Sequence, residues 1–347
     1  MRSSAMAEAL APARAPRRGA RAQRLLHVDT ATGALTDERI DDLPSRVEPG
    51  DVWVLNDAAT LPASLSGGFD GQAVELRLRA EREDGTWWAV LLGEGSWRDD
   101  TDARPAPPRI EVGDRITLGG RLGAEVVEVD PLSARSVRVR FTPGGDGFWR
   151  ALYALGRPVQ YSYLARELRL SEVQTGYAAR PWSAEPPSAG RPLGVGLLER
   201  LRAAGAEVVS LTHAAGLSAT GDPALDARLP LPERYDLPAA TVDAVSRAVA
   251  ERRRVVAVGT TVTRALEGNH RTHGALRPGV GETDLVLGPD TTLSVVDALL
   301  TGAHDPASSH YQLLRAFAPE RLLREAVGRS AALGYLGHEL GDSWLIA

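Results

Sequence analysis

The stretch Val255 to Glu267, reading VVAVGTTVTRALE, holds residues whose types and spacing suit the binding of a small anion. Its apolar opening predicts a buried parallel strand, Gly259 a turn, and the remainder a helix on which Arg264 and Glu267 stand one turn apart. A strand that passes through a glycine turn into a helix N-terminus gathers free backbone N–H groups, the hydroxyls of Thr260 and Thr261, and one cation around a single point. That point suits an amino-acid carboxylate. A plainer reading stays open, in which Thr260 and Thr261 cap the helix and Arg264 pairs with Glu267 on its surface.

Composition narrows the rest of the chemistry. The chain has no cysteine, which removes thiol nucleophiles, disulfides, cysteine-ligated zinc and iron-sulfur clusters. All 40 basic residues are arginine, so there is no Schiff-base lysine, no pyridoxal-phosphate anchor and no P-loop lysine. Catalysis must draw on histidine, carboxylates, arginine, hydroxyls or the backbone. With 347 residues, 43% apolar and 24% charged, the chain can bury a full core and is long enough for two domains. No apolar run approaches the roughly 20 residues that span a bilayer, and the first stretch lacks the apolar centre of a secretory signal, so a soluble cytoplasmic protein is expected. The formal charge of -5 argues weakly against non-specific nucleic-acid binding. Two basic runs temper that: Arg14, Arg17, Arg18, Arg21 and Arg24 near the start, and Arg252 to Arg254 at a predicted helix end.

The elements that would position these groups follow from pattern. Residues 1–22, rich in Ala, Pro and Arg, are expected to form a flexible arm, with ordered chain from Arg24-Leu25-Leu26-His27-Val28. Pro49-Gly50 leads into a strand over Asp51 to Leu55, leaving Asn56 and Asp57 at its exit, where turns form and where parallel sheets bind ligands. From 66 to 150 the pattern becomes short strands punctuated by glycine: Ala73 to Arg79, Thr86 to Leu92, Arg115 to Leu118, Ala124 to Val129 and Ser136 to Phe141. The alternation of Val74, Leu76 and Leu78 against Glu75, Arg77 and Arg79 marks half-buried antiparallel strands. After Trp149 the pattern is α/β. It predicts a helix over Gly196 to Ala204, a strand over Glu207 to Leu211 with His213 just past its end, and a helix over Thr241 to Arg252. Beyond them come a short helix over Asp297 to Leu300 opened by Asp297, a loop to Ser308, and helices near 309–317 and 319–332. The expected fold is a mixed α/β main domain, residues 23–65 and 151–347, with a small antiparallel β-barrel-like domain inserted at 66–150.

Taken in order, several strings make the chain resemble the S-adenosylmethionine:tRNA ribosyltransferase-isomerase family of queuosine biosynthesis. They are Arg24-Leu25-Leu26 with Thr32-Gly33-Ala34-Leu35-Thr36, Pro49-Gly50-Asp51 through Asn56-Asp57 and Leu61-Pro62-Ala63, and Gln174-Thr175-Gly176-Tyr177-Ala178. Further on stand Pro187-Ser188-Ala189-Gly190, Ala257-Val258-Gly259-Thr260-Thr261 with Arg264 and Leu266-Glu267, Val295-Val296-Asp297-Ala298-Leu299 with Thr301 and His304, and the terminal Gly341-Asp342. The resemblance runs from about Arg24 to Ile346. Departures fall on polar positions. The family's Asn-Asp-Thr-Arg stands here as Asn56-Asp57-Ala58-Ala59, its Thr-Ala-Gly-Leu-His-Phe as Ser188 to Leu193 with Pro192 for histidine, and its Asn-Phe-His-Leu-Pro as Gly302 to Pro306. Its His-x-Met-His-x-Glu appears as Arg228 to Glu233, keeping only the glutamate.

The resemblance implies transfer and rearrangement of the ribosyl group of S-adenosylmethionine onto the aminomethyl group of a 7-deazaguanine base in tRNA, with loss of adenine and methionine. It implies S-adenosylmethionine as co-substrate, tRNA as partner and no metal or redox cofactor; apart from the resemblance, no membrane association and a monomer are expected. The sulfonium acidifies the adjacent ribose C5′ hydrogen, so the site needs a base, a holder for the methionyl carboxylate and a stacking slot. His213 and His304, which keep family positions, are candidate acid–base groups, and Glu233 and Asp57 could accept a proton or a ribose hydroxyl. Arg264 with Gly259, Thr260 and Thr261 is the candidate carboxylate holder. Asn56, Gln174, Tyr177, Ser188 and Gly190 complete the candidate substrate-binding set, with Tyr177 as a stacking face. Two other readings fit the departures: a paralogue that binds S-adenosylmethionine but uses a small-molecule acceptor, or a catalytically inactive binding protein on the same scaffold.

Overall fold

The computed structural model describes residues 10–17, 23–306 and 308–347. The main body opens with the antiparallel pair β1 (Arg24–Val28) and β2 (Leu35–Arg39), then β3 (Val52–Asn56) and the short β4 (Ala58–Thr60). Six strands follow and close on themselves: β5 (Ser64–Phe69), β6 (Gln72–Glu81), β7 (Trp87–Leu92), β8 (Arg115–Thr117), β9 (Gly123–Val129) and β10 (Ser136–Thr142). Their order, β10-β7-β6-β5-β8-β9, is a closed antiparallel barrel. Closure depends on Gly67 and Gly68 of β5. Gly68 pairs with Thr117, and a Cβ on Gly67 would stand 2.4 Å from the Thr117 carbonyl oxygen, so only glycine lets β8 approach. Alternation does the rest: Leu65, Leu76, Leu78, Val126 and Val139 all fill the barrel. The strand β5 lies at the foot of the expected barrel region and escaped the pattern, because its two glycines and two serines dilute the apolar signal.

Beyond the barrel come α1 (Gly145–Leu155), α2 (Leu170–Val173), β11 (Arg180–Ser183), α3 (Val195–Ala203), β12 (Glu207–His213), α4 (Pro223–Asp226), β13 (Glu233–Leu237) and α5 (Ala239–Ala250). The chain ends with β14 (Val255–Val258), α6 (Thr260–His273), β15 (Gly279–Thr283), β16 (Ala298–Gly302), α7 (Ser309–Leu314), α8 (Glu320–Ala332) and β17 (Ser343–Ile346). Nine strands make one mixed sheet in the order β15-β13-β12-β3-β14-β16-β17-β1-β2. Its centre, β12-β3-β14-β16, is parallel throughout. Of these, β3, β14 and β16 are buried on both faces, which is why they read as apolar runs. Val52, Val54 and Ala257 face a core shared with α5, α6 and α8, while Trp53, Leu55, Val256 and Val258 face one shared with α3. Each fully buried aliphatic side chain contributes roughly 1.5–3 kcal/mol.

Two expectations need correction. Residues 298–302 form β16, not a helix, and Asp297 does not cap one; its carboxylate accepts the Val255 N–H at 2.8 Å. Ala298, Leu299 and Leu300 are good helix formers, but each is buried on both sides between β14 and β17, and packing overrides propensity there. The arm expected over residues 1–22 is docked where it is described. Leu10 and Ala13 are buried, Ala13 N–H donates to the Gly337 carbonyl at 3.1 Å, Gly337 N–H donates to the Ala11 carbonyl at 2.9 Å, and Arg17 reaches Asp342 at 2.5 Å. Residues 1–9 and 18–22, with Arg18 and Arg21, lie outside the described residues. In the second basic run Arg254 bonds to Asp51, which ties the start of β14 to the start of β3. No helix among the described residues is long and apolar enough to cross a membrane.

Candidate functional site

All four central parallel strands deliver their carboxyl ends to one edge of the sheet: His213 from β12, Asn56 from β3, Gly259 after β14, and Thr301 with His304 at the end of β16. In an open parallel sheet this edge is where ligands bind. Asn56, 1% exposed, holds the edge together. Its amide donates to the His213 carbonyl at 3.0 Å and to Thr261 Oγ1 at 3.3 Å, and its Oδ1 accepts the N–H groups of His213 and Ala58 at 2.9 and 3.0 Å. Gly259 turns the chain into α6 at φ 98°, ψ 153°, a conformation that costs any other residue about 1–3 kcal/mol. The first turn of α6, with Thr260 and Thr261, then faces open space.

That space is a two-part cavity. The larger part, about 640 Å³, takes in Ser188, Gly259, Thr260, Thr261, Thr301 and His304. The smaller, about 180 Å³, is walled by apolar groups such as Leu217, Leu287 and Leu313, and contains Glu233 and Arg264. Glu185, Ala215, Ser218, Leu229, Thr260, Thr261, His310 and Gln312 belong to both walls, so the two parts are continuous. The larger volume lies within the roughly 300–1,000 Å³ usual for small-molecule sites.

Arg264 is 4% exposed and does not pair with Glu267. Its guanidinium bonds to Glu233 and to the carbonyls of Leu285 (2.9 Å) and Thr283 (3.4 Å). Glu267, wholly buried, instead accepts the N–H groups of Ser294, Val295 and Val296 at 2.9–3.1 Å. Glu233 Oε2 also lies 3.5 Å from His213 Nε2, and its Oε1 accepts the Gly216 N–H at 2.6 Å. Burial pushes the His213 pKa down to about 4, with Glu233 opposing and Arg264 assisting, so the imidazole is neutral at neutral pH. The cation expected to meet a ligand carboxylate is therefore half of a buried ion pair, and His213 stands behind that pair, not on the cavity wall.

Other expected residues shape the edge without lining either part of the cavity. Asp57 accepts the hydroxyls of Ser210 (3.1 Å) and Thr212 (2.6 Å), which fastens β12. Gln174 exchanges two hydrogen bonds with the backbone of Thr60, so it continues β4 as a pseudo-strand partner. Tyr177 packs on Gly190, where a Cβ would fall 1.9 Å from its hydroxyl oxygen, and burial raises its pKa; a stacking role in the cavity does not fit this position. Gly190 is thus the space that Tyr177 occupies.

Several cavity groups went unnoticed in the sequence. His310 of α7 stacks on His304 with centroids 5.1 Å apart and planes at 9°. His304 Nε2 lies 2.8 Å from Thr301 Oγ1. Burial lowers both imidazoles, His304 far below its usual value with His310 and His338 adding to the effect. Across the cavity, Tyr161, Tyr163 and His338 form a ladder of rings, 6.2 Å between the first two and 4.6 Å between the last two. Glu185 Oε1 accepts the Tyr161 hydroxyl, the Ser218 hydroxyl (3.0 Å) and the Ser218 N–H (2.8 Å). The only signal for Glu185 was its place two residues before the Pro187-Ser188-Ala189-Gly190 string. Asp100, Asp102, Glu185, Asp226, Asp305 and Glu339 line the larger cavity, and its described lining includes no arginine, although the chain has 40. Among the described residues no group of three or more His, Asp or Glu is arranged to hold a metal ion.

Comparison with known proteins places relatives beside this geometry. A family model described as queuosine biosynthesis protein matches residues 6–346. The S-adenosylmethionine:tRNA ribosyltransferase-isomerase of Thermus thermophilus is 38% identical over 319 residues, 89% of this chain and 88% of that one. The enzyme of the same name from Methylorubrum extorquens is 33% identical over 334 residues, covering 90% and 87%. The crystal structure of an S-adenosylmethionine tRNA ribosyltransferase from Thermotoga maritima shares the fold, with TM-score 0.53, 23% identity, and coverage of 97% and 96%.

Proposed function

This chain belongs to the queuosine biosynthesis protein family, and on that premise we propose that it is an S-adenosylmethionine:tRNA ribosyltransferase-isomerase. It transfers the ribosyl group of S-adenosylmethionine to the aminomethyl group of a 7-deazaguanine base in tRNA and rearranges it, releasing adenine and methionine. The single observation that carries this reading is a cavity of about 640 Å³ at the carboxyl edge of the parallel strands, lined by six carboxylates and free of arginine among its described lining residues. S-adenosylmethionine carries a sulfonium and an ammonium against one carboxylate. A wall of this sign favours the sulfonium, and the lone carboxylate needs a separate partner.

The first turn of α6 supplies that partner. The N–H groups beside Thr260 and Thr261, at the positive end of the helix dipole, suit the methionyl carboxylate, and Gly259 and Ser188 keep the approach clear. Arg264 lies one turn deeper, where Glu233 shares its charge; it offers the same carboxylate a second partner, and Glu233 suits the ammonium. His304 and His310, stacked together on the wall of the larger cavity, are the groups placed to take the acidified C5′ proton. His213, Asn56 and Asp57 act through the groups they hold. The electrophile is supplied by the sulfonium itself, and the mechanism uses no metal. The protein acts in the cytoplasm as a monomer, with tRNA as its macromolecular partner.

Incubation with S-adenosylmethionine labelled in the ribose tests the reading. Adenine and methionine should appear, and label should enter tRNA only when that tRNA carries the aminomethyl base. Adenine release that ignores tRNA, or no turnover with the modified tRNA, would remove tRNA as the acceptor.

A further inference from the structure

The primary amine of the acceptor is protonated at neutral pH, since alkyl ammonium groups lose their proton near pH 10. It cannot attack carbon until that proton leaves, so a group in the cavity has to bind the cation and then receive the proton. We propose that Glu185, held in place by Tyr161 and Ser218, is that group: it binds the acceptor ammonium and takes the proton that frees the nitrogen lone pair. This assignment rests on the functional reading above.

Four observations select Glu185 from the carboxylates of the cavity. First, it belongs to the wall shared by both parts, beside Thr260 and Thr261, where the two substrates must meet. Second, it is 8% exposed, whereas Asp100 and Asp102 lie open to solvent. Third, its orientation is over-determined, because three donors converge on Oε1 and no described residue bonds to Oε2. The Tyr161 hydroxyl also lies 2.9 Å from Ser218 Oγ, so the three groups form a closed triangle. A carboxylate fixed through one oxygen presents the other in a constant direction. Fourth, the Tyr161–Tyr163–His338 ladder flanks it and offers ring faces to a planar base.

A second buried group awaits a ligand in the same cavity. Glu339 Oε2 is buried and has no hydrogen-bond partner among the described residues, a costly state that a ligand N–H would relieve. Burial also raises the pKa of both Glu185 and Glu339, which strengthens each as a proton acceptor. No arginine stands among the described lining residues of the larger part, and its six carboxylates disfavour tRNA phosphates there. The acceptor base therefore enters alone, extruded from its strand.

The proton step balances without another reagent. The ammonium N–H bond breaks and an O–H bond forms on Glu185 Oε2; the freed nitrogen lone pair goes on to form the C–N bond in a transfer that releases adenine and methionine from the ribosyl group. Tyr161 and Ser218 are positioning residues that touch Glu185, and Tyr161 also offers its ring to the base.

Glu185→Gln keeps the shape and the acceptor oxygen for Tyr161 and Ser218 but removes the charge. Its affinity for S-adenosylmethionine, measured by calorimetry, should fall far less than its kcat/KM for tRNA, because five of the six carboxylates still face the sulfonium. Its kcat/KM for tRNA bearing the aminomethyl base should fall about a hundredfold or more at pH 7, the usual loss on removing a general base. Between pH 7 and 9 the variant should then gain roughly tenfold per pH unit as free amine accumulates, while wild type gains less. Tyr161→Phe should lose less, about tenfold, with the pH profile tilted the same way. Should Glu185→Gln not fold, that tilt in Tyr161→Phe decides the matter. Wild-type turnover with an unaltered kcat/KM and pH profile in the folded variants overturns the assignment to Glu185 and leaves the functional reading standing. A wild-type protein that binds S-adenosylmethionine but never labels the modified tRNA overturns both.

Discussion

Arg264 shows how far one residue could be read from its neighbours in sequence. The strand, the Gly259 turn and the helix all follow from Val255 to Glu267, and so does the presence of a cation one turn inside the helix. Its partner was not legible. Glu233 comes from β13, a separate strand, and nothing in local spacing announces that it takes the guanidinium which Glu267 seemed placed to take. Glu233 was itself recognised, though as an independent acid–base candidate. The pairing changes what Arg264→Ala should do. Removing the guanidinium strands a buried carboxylate beside a neutral His213, which should cost about 3–5 kcal/mol of stability. The dissociation constant for S-adenosylmethionine should also rise tenfold or more, equivalent to about 1.4 kcal/mol. Thermal unfolding and calorimetry on the same variant separate the two effects; lost stability with unchanged affinity would leave Arg264 a purely structural role.

Among the elements, periodicity found what it is able to find. Central strands, the barrel strands with clean alternation, α3 and α5 all stand within a few residues of where the pattern predicted them. Pattern failed where packing outranks local preference. β16 is made of residues that favour helix, and β5 carries glycines that exist to let another strand approach. The two are joined to function by unlike means: β16 delivers Thr301 and His304 to the cavity, whereas β5 only closes the barrel. The turn that feeds β16 is held by Glu267 of α6, whose carboxylate gathers three successive N–H groups at Ser294, Val295 and Val296. Glu267→Ala would leave the buried N–H groups of Val295 and Val296 without a partner, at about 1–3 kcal/mol each, and free that of the exposed Ser294. We expect a fall of several degrees in the unfolding temperature and faster amide exchange at 294–296 than elsewhere in the sheet. Protection equal to wild type at those amides would show that the anchor is dispensable.

Viewed whole, the molecule keeps three buried imidazoles neutral around one cavity, and that sets its response to acid. His213, His304 and His310 all have their pKa values lowered chiefly by burial, His213 to about 4. An unfolded chain binds protons at these sites near pH 6.5, so the stability they allow is intact above that value and is lost as pH falls from 6.5 towards 4. For His213 alone the loss is about 3 kcal/mol across that window. Denaturant titrations at pH 7 and pH 5 should show the drop, and His213→Gln should make it smaller; an equal drop in the variant would acquit this histidine. The overall division into a mixed sheet and a barrel was readable from composition and spacing, because strands buried on both faces and strands buried on one face leave different patterns. The cavity was less so, since its walls come from segments more than 300 residues apart in sequence. Leu10 meets Gly337 to Glu339 there, and β17 slots between β16 and β1 in the middle of the sheet. A nascent chain emerging from the ribosome therefore carries a split sheet until Ser343–Ile346 are translated, and a messenger broken before Ser343 would yield a protein whose opening hairpin has no strand to join it to β16.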